Sequence, residues 1–155
     1  FFYLAGYYKD GIRGMPQDRA KANELYLKAG ELGCAHAYCN LGIAYANGRG
    51  VEIDKKKAKH YYELAAMSGS VYARYNLGCL EAQADNTHRA TKHFILAARA
   101  GHDKALGMVK QGFMGGVVTK EEYANVLREY QKSQDEMKSE ARDIALAARN
   151  QIRHG

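Results

Sequence analysis

The chain has 155 residues and a formal net charge of +6, room for one well-buried core or about four helix-pair repeats. No stretch approaches the ~20 consecutive apolar residues of a membrane helix, so no membrane span is expected. The 23 basic and 17 acidic residues are interspersed along the chain, which argues against a dedicated nucleic-acid surface.

A single proline and 16 glycines describe helices punctuated by glycine turns, because proline breaks helix interiors and glycine admits left-handed backbone. Asn-Leu-Gly occurs at Asn40–Gly42 and again at Asn76–Gly78, and the same thirty-six-residue offset relates Tyr26 to Tyr62, Ala29 to Ala65, Gly33 to Gly69 and Ala37 to Ala73. A period of this size marks a repeat architecture whose units bury their apolar faces by stacking on one another. The repeat units are expected at about 1–34, 35–70, 71–102 and a degenerate 103–118, with a C-terminal capping helix or helices over 119–155.

In chain order, a first helix over about 1–10 carries Leu4 and Tyr8. A loop from Asp10 through Gly11, Gly14 and Pro16 leads to a second helix over 18–32 with Ala22, Leu25, Tyr26 and Ala29 at helical spacing. The chain opens inside an apolar segment with Phe rather than Met, which reads as a piece of a longer protein. The best-formed unit follows. Ala37, Tyr38, Leu41, Ala44 and Tyr45 form one stripe of a helix over 35–47, with Gly42 beside it where a partner helix can approach closely. Asn47 to Gly50 ends that helix, and Asp54 is a candidate N-cap for a helix over 54–68 bearing Ala58, Tyr61, Tyr62, Ala65 and Ala66. The third unit pairs helices over 71–84 and 86–100 but drops four residues from its loop. A helix over 103–114 holds the phase through Ala105 and Val109 before Gly112 to Gly116 break it. Thr119 with Glu122 then fits a capping box. It opens a helix over 119–150 whose stripe runs through Tyr123, Leu127, Tyr130, Met137, Ala141, Ile144 and Ala148. A break is expected near Ser133–Glu136 or Ser139. This helix reads as a cap on the terminal repeat in preference to a free coiled-coil arm.

The run from Ala37 to Val51, followed by Asp54, Lys57-Ala58, Tyr61-Tyr62, Ala65-Ala66 and Gly69, resembles the Sel-one-like repeat (SLR) family, relatives of the tetratricopeptide repeats. The resemblance is specific over Ala35–Gly101, recognisable from Phe1 and poor after Gly107. It implies an all-α, right-handed α/α superhelical solenoid of about four helix pairs that acts as an adaptor or scaffold in assembling protein complexes. Stacked helix pairs reach the same place on physical grounds, since they supply an extended binding surface rather than a pocket for chemistry.

Catalysis would need a nucleophile with a base, or a metal cluster. No serine is followed by lysine three residues later, the six histidines share no repeat phase and form no His-Glu-x-x-His pair, and the glycines end helices instead of cradling a phosphate. The chain is therefore read as non-enzymatic, without cofactor, metal or small-molecule substrate. Cys34, Cys39 and Cys79 fall at non-equivalent repeat positions, unlike a disulfide framework, so a reduced, intracellular chain is expected. Cys34, His36 and Cys39 fit no zinc spacing. Lys55-Lys56-Lys57, Lys59 and His60 read as a solvated helix face. An RNA code would need one base-reading polar residue at the same place in every repeat. Equivalent positions here pair Cys39 with Tyr75 and Ile43 with Cys79, so RNA binding ranks below a protein-binding scaffold and below a structural subunit of a larger assembly.

A second stripe lies about 100° around from the buried one on each first helix. It carries His36, Cys39, Ile43 and Asn47 in the second unit and Tyr72, Tyr75, Cys79 and Gln83 in the third. Lys104, Gly107 and Gln111 continue it in the fourth. In solenoids of the resembled type first helices line the concave surface, so these residues are expected to form a strip that receives a peptide or helix from another protein.

Overall fold

The computed structural model describes residues 1–154, and among them every regular element is an α-helix, the all-α class expected from the repeats. The helices are α1 (Phe2–Asp10), α2 (Arg19–Glu31), α3 (Ala35–Asn47), α4 (Lys55–Met67), α5 (Val71–Gln83), α6 (Thr87–Arg99), α7 (Asp103–Met114) and α8 (Lys120–His154). They form two compact units, Phe1–His93 and Phe94 onward, so that α6 begins in one and ends in the other.

In the first unit each of α1 to α4 packs on the next, and α3 also touches α5. The starts are set by side chains that accept otherwise unpaired backbone N–H groups. Asp18 accepts from Lys21 N–H at 2.9 Å, Asp54 from Lys57 N–H at 3.0 Å and Ser70 from Ala73 N–H at 3.2 Å. Gly48 ends α3 in the left-handed region at φ 67°, where a side chain would be strained. The return loops are tied back alike in successive repeats. Asp18 N–H donates to the Tyr8 carbonyl at 2.8 Å, Asp54 N–H to Tyr45 at 2.9 Å, and Asn86 N–H to Glu81 at 2.8 Å. The third of these belongs to the shortened loop, where Asp85 adopts φ 60° in place of a glycine.

The cores are built from alanines that let helices approach and tyrosines that fill the space between them. Ala37, Ala58, Ala65 and Ala73 are fully buried, and Tyr62 and Leu77 almost so. Gly42 presents its bare backbone to the ring of Tyr62, and a Cβ there would lie 2.4 Å from two ring carbons. The close approach expected at Gly42 is therefore to an aromatic ring. Gly30 receives Tyr38 in the same way, at 2.5 Å. Tyr61 stacks on both Tyr38 and Tyr45, with centroids 6.0 and 5.6 Å apart.

In the second unit α7 packs on α8, and Ala97, Ala98, Ala105, Val109, Val118 and Val126 are buried. The expected capping box is present. Thr119 N–H donates to Glu122 at 2.8 Å and Glu122 N–H to the Thr119 hydroxyl at 3.1 Å. Phe113 and Tyr123 stack at 4.9 Å. The break expected near Ser133–Glu136 or Ser139 is absent, since α8 runs unbroken through both places, and two of the polar residues that suggested it, Ser133 and Gln134, are docking groups. Ser133 Oγ donates to the Arg99 carbonyl at 2.6 Å and Gln134 Nε2 to the Gly101 carbonyl at 3.0 Å. Arg99 and Glu129 form an ion pair at 2.6 Å. No residue from 138 to 153 is buried. No helix among the described residues is long and apolar enough to cross a membrane.

Candidate partner-binding surface

On α3, His36 and Asn47 are exposed and Ile43 is half-buried. The His36 ring lies 6.3 Å from that of Phe2, and Asn47 Nδ2 donates to the Ile43 carbonyl at 3.0 Å. Cys39 does not share this exposure. It is only 7% exposed and packs in the core with Tyr62, Ala73 and Leu77. Asn76 Nδ2 donates to its sulfur at 3.8 Å, and burial pushes its thiol pKa up. The reason is that α3 meets α5 as well as its own partner α4, so its buried arc is wider than one stripe. Cys39 thus belongs to the seam between repeats.

On α5, Tyr72 is 64% exposed, Tyr75 and Cys79 are half-buried, and Gln83 is exposed. The Tyr75 hydroxyl pKa is raised, first by burial and then by its hydrogen bond with Cys79 one turn on. The strip in the first unit, without Cys39, is therefore exposed at His36, Asn47, Tyr72 and Gln83 and half-buried at Ile43, Tyr75 and Cys79. Lys104 and Gln111 are exposed on α7, in the second unit.

These faces offer aromatic, aliphatic and amide contacts, and among the described residues no group of three His, Cys, Asp or Glu side chains could hold a metal ion. The lysine cluster at the start of α4 is less idle than its solvated reading implied. Lys55 Nζ donates to the Ala46 carbonyl at 3.0 Å, Lys57 lies over the Tyr45 ring at 5.3 Å, and Lys59 pairs with Glu81 at 2.8 Å. Glu81 is 5% exposed and also accepts from Asn86 Nδ2 at 2.8 Å. The Lys59 hydrogen bond holds its carboxyl below the ordinary range, against the opposing effect of burial. This ion pair on a buried carboxylate was not foreseen. Its signal was an acid at the stripe position that Tyr45 occupies one repeat earlier.

Paired helices joined by glycine turns and stacked at a constant period define a helix-pair repeat protein. The chain belongs to the Sel1 repeat family, whose Sel1 repeat model matches residues 2–34, 35–70 and 71–102. Proteins of this family are generally protein-interaction scaffolds. Among solved structures, a Sel1 repeat protein from Oxalobacter formigenes is 25% identical with a TM-score of 0.71, over 85% of this chain and 57% of that one. A protective antigen of uropathogenic Escherichia coli strains, displaying an SLR fold, is 27% identical with a TM-score of 0.73, over 87% of this chain and 30% of that one. The chain thus spans less than two thirds of each of these proteins. No curated protein matches it.

Proposed function

We propose that the chain is a non-enzymatic scaffold that holds a segment of a partner protein along the exposed faces of α3 and α5. The observation that carries this reading is Tyr72, a large aromatic left 64% exposed one turn before half-buried Tyr75, on a helix in direct contact with α3. Accessible aromatic side chains are the composition of interface anchors. An extended peptide or an amphipathic helix suits the surface, the helix engaging it with side chains three and four residues apart. Lys104 and Gln111 are proposed as contacts that the second unit makes on its own face.

The test is capture of a purified binding partner by the parent chain and by the Tyr72→Glu, Tyr75→Glu double variant. Loss of capture is expected with the helical circular-dichroism signal and melting temperature retained. Undiminished capture refutes the assignment of these faces.

A further inference from the structure

Two recesses in the first unit occupy equivalent places in successive repeats. One, of about 250 Å³, is lined by Lys9, Asp10, Arg19, Asn23, Asn40 and Arg49 among others. The other, of about 440 Å³, is lined by Lys55, Lys59, Leu80, Glu81 and Asn86 among others. The repeat offset relates Arg19 to Lys55, Asn23 to Lys59 and Ala44, also in the first recess, to Leu80.

The second recess carries its own anion, the buried Glu81 carboxylate, bonded to Lys59 and Asn86 at 2.8 Å each. The first has no counterpart. The residue equivalent to Glu81 is Tyr45, whose ring stacks on Tyr61. The acid present, Asp10, pairs with Lys9 at 3.5 Å. Neither Arg19 nor Arg49 is ion-paired among the described residues.

The two arginines are also held in place through their backbones. Asn23 Nδ2 donates to the Arg49 carbonyl at 2.8 Å. Gly50, at φ 74°, packs so closely on α2 that a Cβ there would lie 2.7 Å from the Arg19 carbonyl carbon. The loop that carries Arg49 is thereby pinned beside the start of α2. Guanidinium groups present paired N–H donors that match the two oxygens of a carboxylate. With Lys9 matched by Asp10, the two arginines leave the recess net positive, which suits an anion, and its volume suits a single small group rather than a drug-sized ligand.

We propose that the recess between Arg19 and Arg49 binds a carboxylate presented by a partner protein, either an acidic side chain or a chain terminus, in the place that Glu81 fills in the next repeat. This deepens the scaffold reading and rests on it for the source of the carboxylate. The affinity of the recess itself is tested separately.

Four probes are titrated into the isotope-labelled chain while the amide signals of residues 19–23, 40 and 49–50 are followed. They are acetyl-tetraalanine with a free carboxylate, the same peptide as its amide, acetyl-Ala-Glu-Ala-amide and inorganic phosphate. Saturable shifts are expected from at least one of the two acids and not from the uncharged amide. Response to the free acid alone assigns a chain terminus, response to the glutamate peptide alone assigns a side chain, and response to both assigns the carboxylate in either setting. Arg19→Gln and Arg49→Gln are each expected to weaken binding about ten-fold, the order of one charge-assisted pair. Lys28→Gln, which removes the same charge elsewhere on α2, is expected to stay within two-fold. Backbone spectra of the variants report folding directly. The proposal is overturned by no saturable shift with either acid, by shifts indifferent to both arginine variants, by an equal response to the amide, or by tighter binding of phosphate than of both acids. Loss of partner capture in the tyrosine variants leaves the peptide titration unaffected, so the two readings fail separately.

Discussion

Replacing Gly42 with alanine sets two effects of opposite sign against each other. In a helix interior alanine is favoured over glycine by about 1 kcal/mol. Here the new Cβ lies 2.4 Å from Cδ1 and Cε1 of Tyr62 and 2.9 Å from Cγ, whereas carbon atoms rest at about 3.5–4.0 Å. The ring must retreat by about 1 Å. It has little room to do so, being 4% exposed and packed among Cys39, Ala58, Ala65, Ala73 and Leu77. Overpacking costs about 1–3 kcal/mol, and an immobile ring puts this site toward the upper end. A net loss of about 1–2 kcal/mol is expected in urea denaturation followed by circular dichroism. Two comparisons isolate the cause. Gly30→Ala meets Tyr38 at 2.5 Å, but Tyr38 is half-buried and can swing aside, so its cost is smaller. In a Tyr62→Leu background Gly42→Ala costs less than in the parent. Equal or greater stability of Gly42→Ala, or the same cost in both backgrounds, refutes the packing argument.

Gly107, inside α7 with nothing within 4 Å of a built Cβ, is the counter-case. Gly107→Ala is expected to stabilise by about 1 kcal/mol, and a loss in the same denaturation assay contradicts this. Leu77→Ala, at a side chain 2% exposed, is expected to cost about 2–5 kcal/mol, read as a lower urea midpoint at unchanged slope. Acidification is expected to destabilise in two stages. Burial lowers the pKa of His93, which Arg74 lowers further, and burial lowers that of His102, whose Nδ1 caps α7 by accepting from Ala105 N–H at 3.1 Å. The unfolded chain takes these protons first, so their contribution is complete above the ordinary value of 6.5 and is lost as pH falls through the depressed folded values. Glu81 contributes fully above its ordinary 4.5 and loses that contribution as pH falls through its lowered folded value. Chemical denaturation from pH 8 to 3 checks both stages, and a rise in stability between pH 6.5 and 5 contradicts the first.

Helix positions were legible because repetition supplies each boundary more than once. Asp18 and Asp54 announce α2 and α4 by the same chemistry, and Ala37 and Ala73 mark the same buried place on α3 and α5. The failures came where a residue's environment is supplied by another repeat. Cys39 lies off the main stripe of α3, yet α5 covers it, and one helix's periodicity carries no record of a third helix. Ser133 and Gln134 break an apolar pattern, yet they bond to carbonyls at the end of α6, where polarity is what the surroundings require. Arg19 and Arg49 are brought to one recess by a loop anchored on Asn23, a meeting with no counterpart in spacing.

The far part of α8 follows a different physical rule from the repeats. From Lys138 to Arg153 no side chain is buried, about 24 Å of helix at the usual rise without tertiary support. A free helix of that length is marginal in water, because its first turn is costly to form. Here that step is already complete, since the Thr119 box and the docked turns up to Gln134 start the helix. Each further residue then adds only one propagation step. Such a segment has no melting point of its own. Amide exchange should quicken smoothly toward the C-terminus, and warming should shorten the ordered length residue by residue while the repeats stay folded.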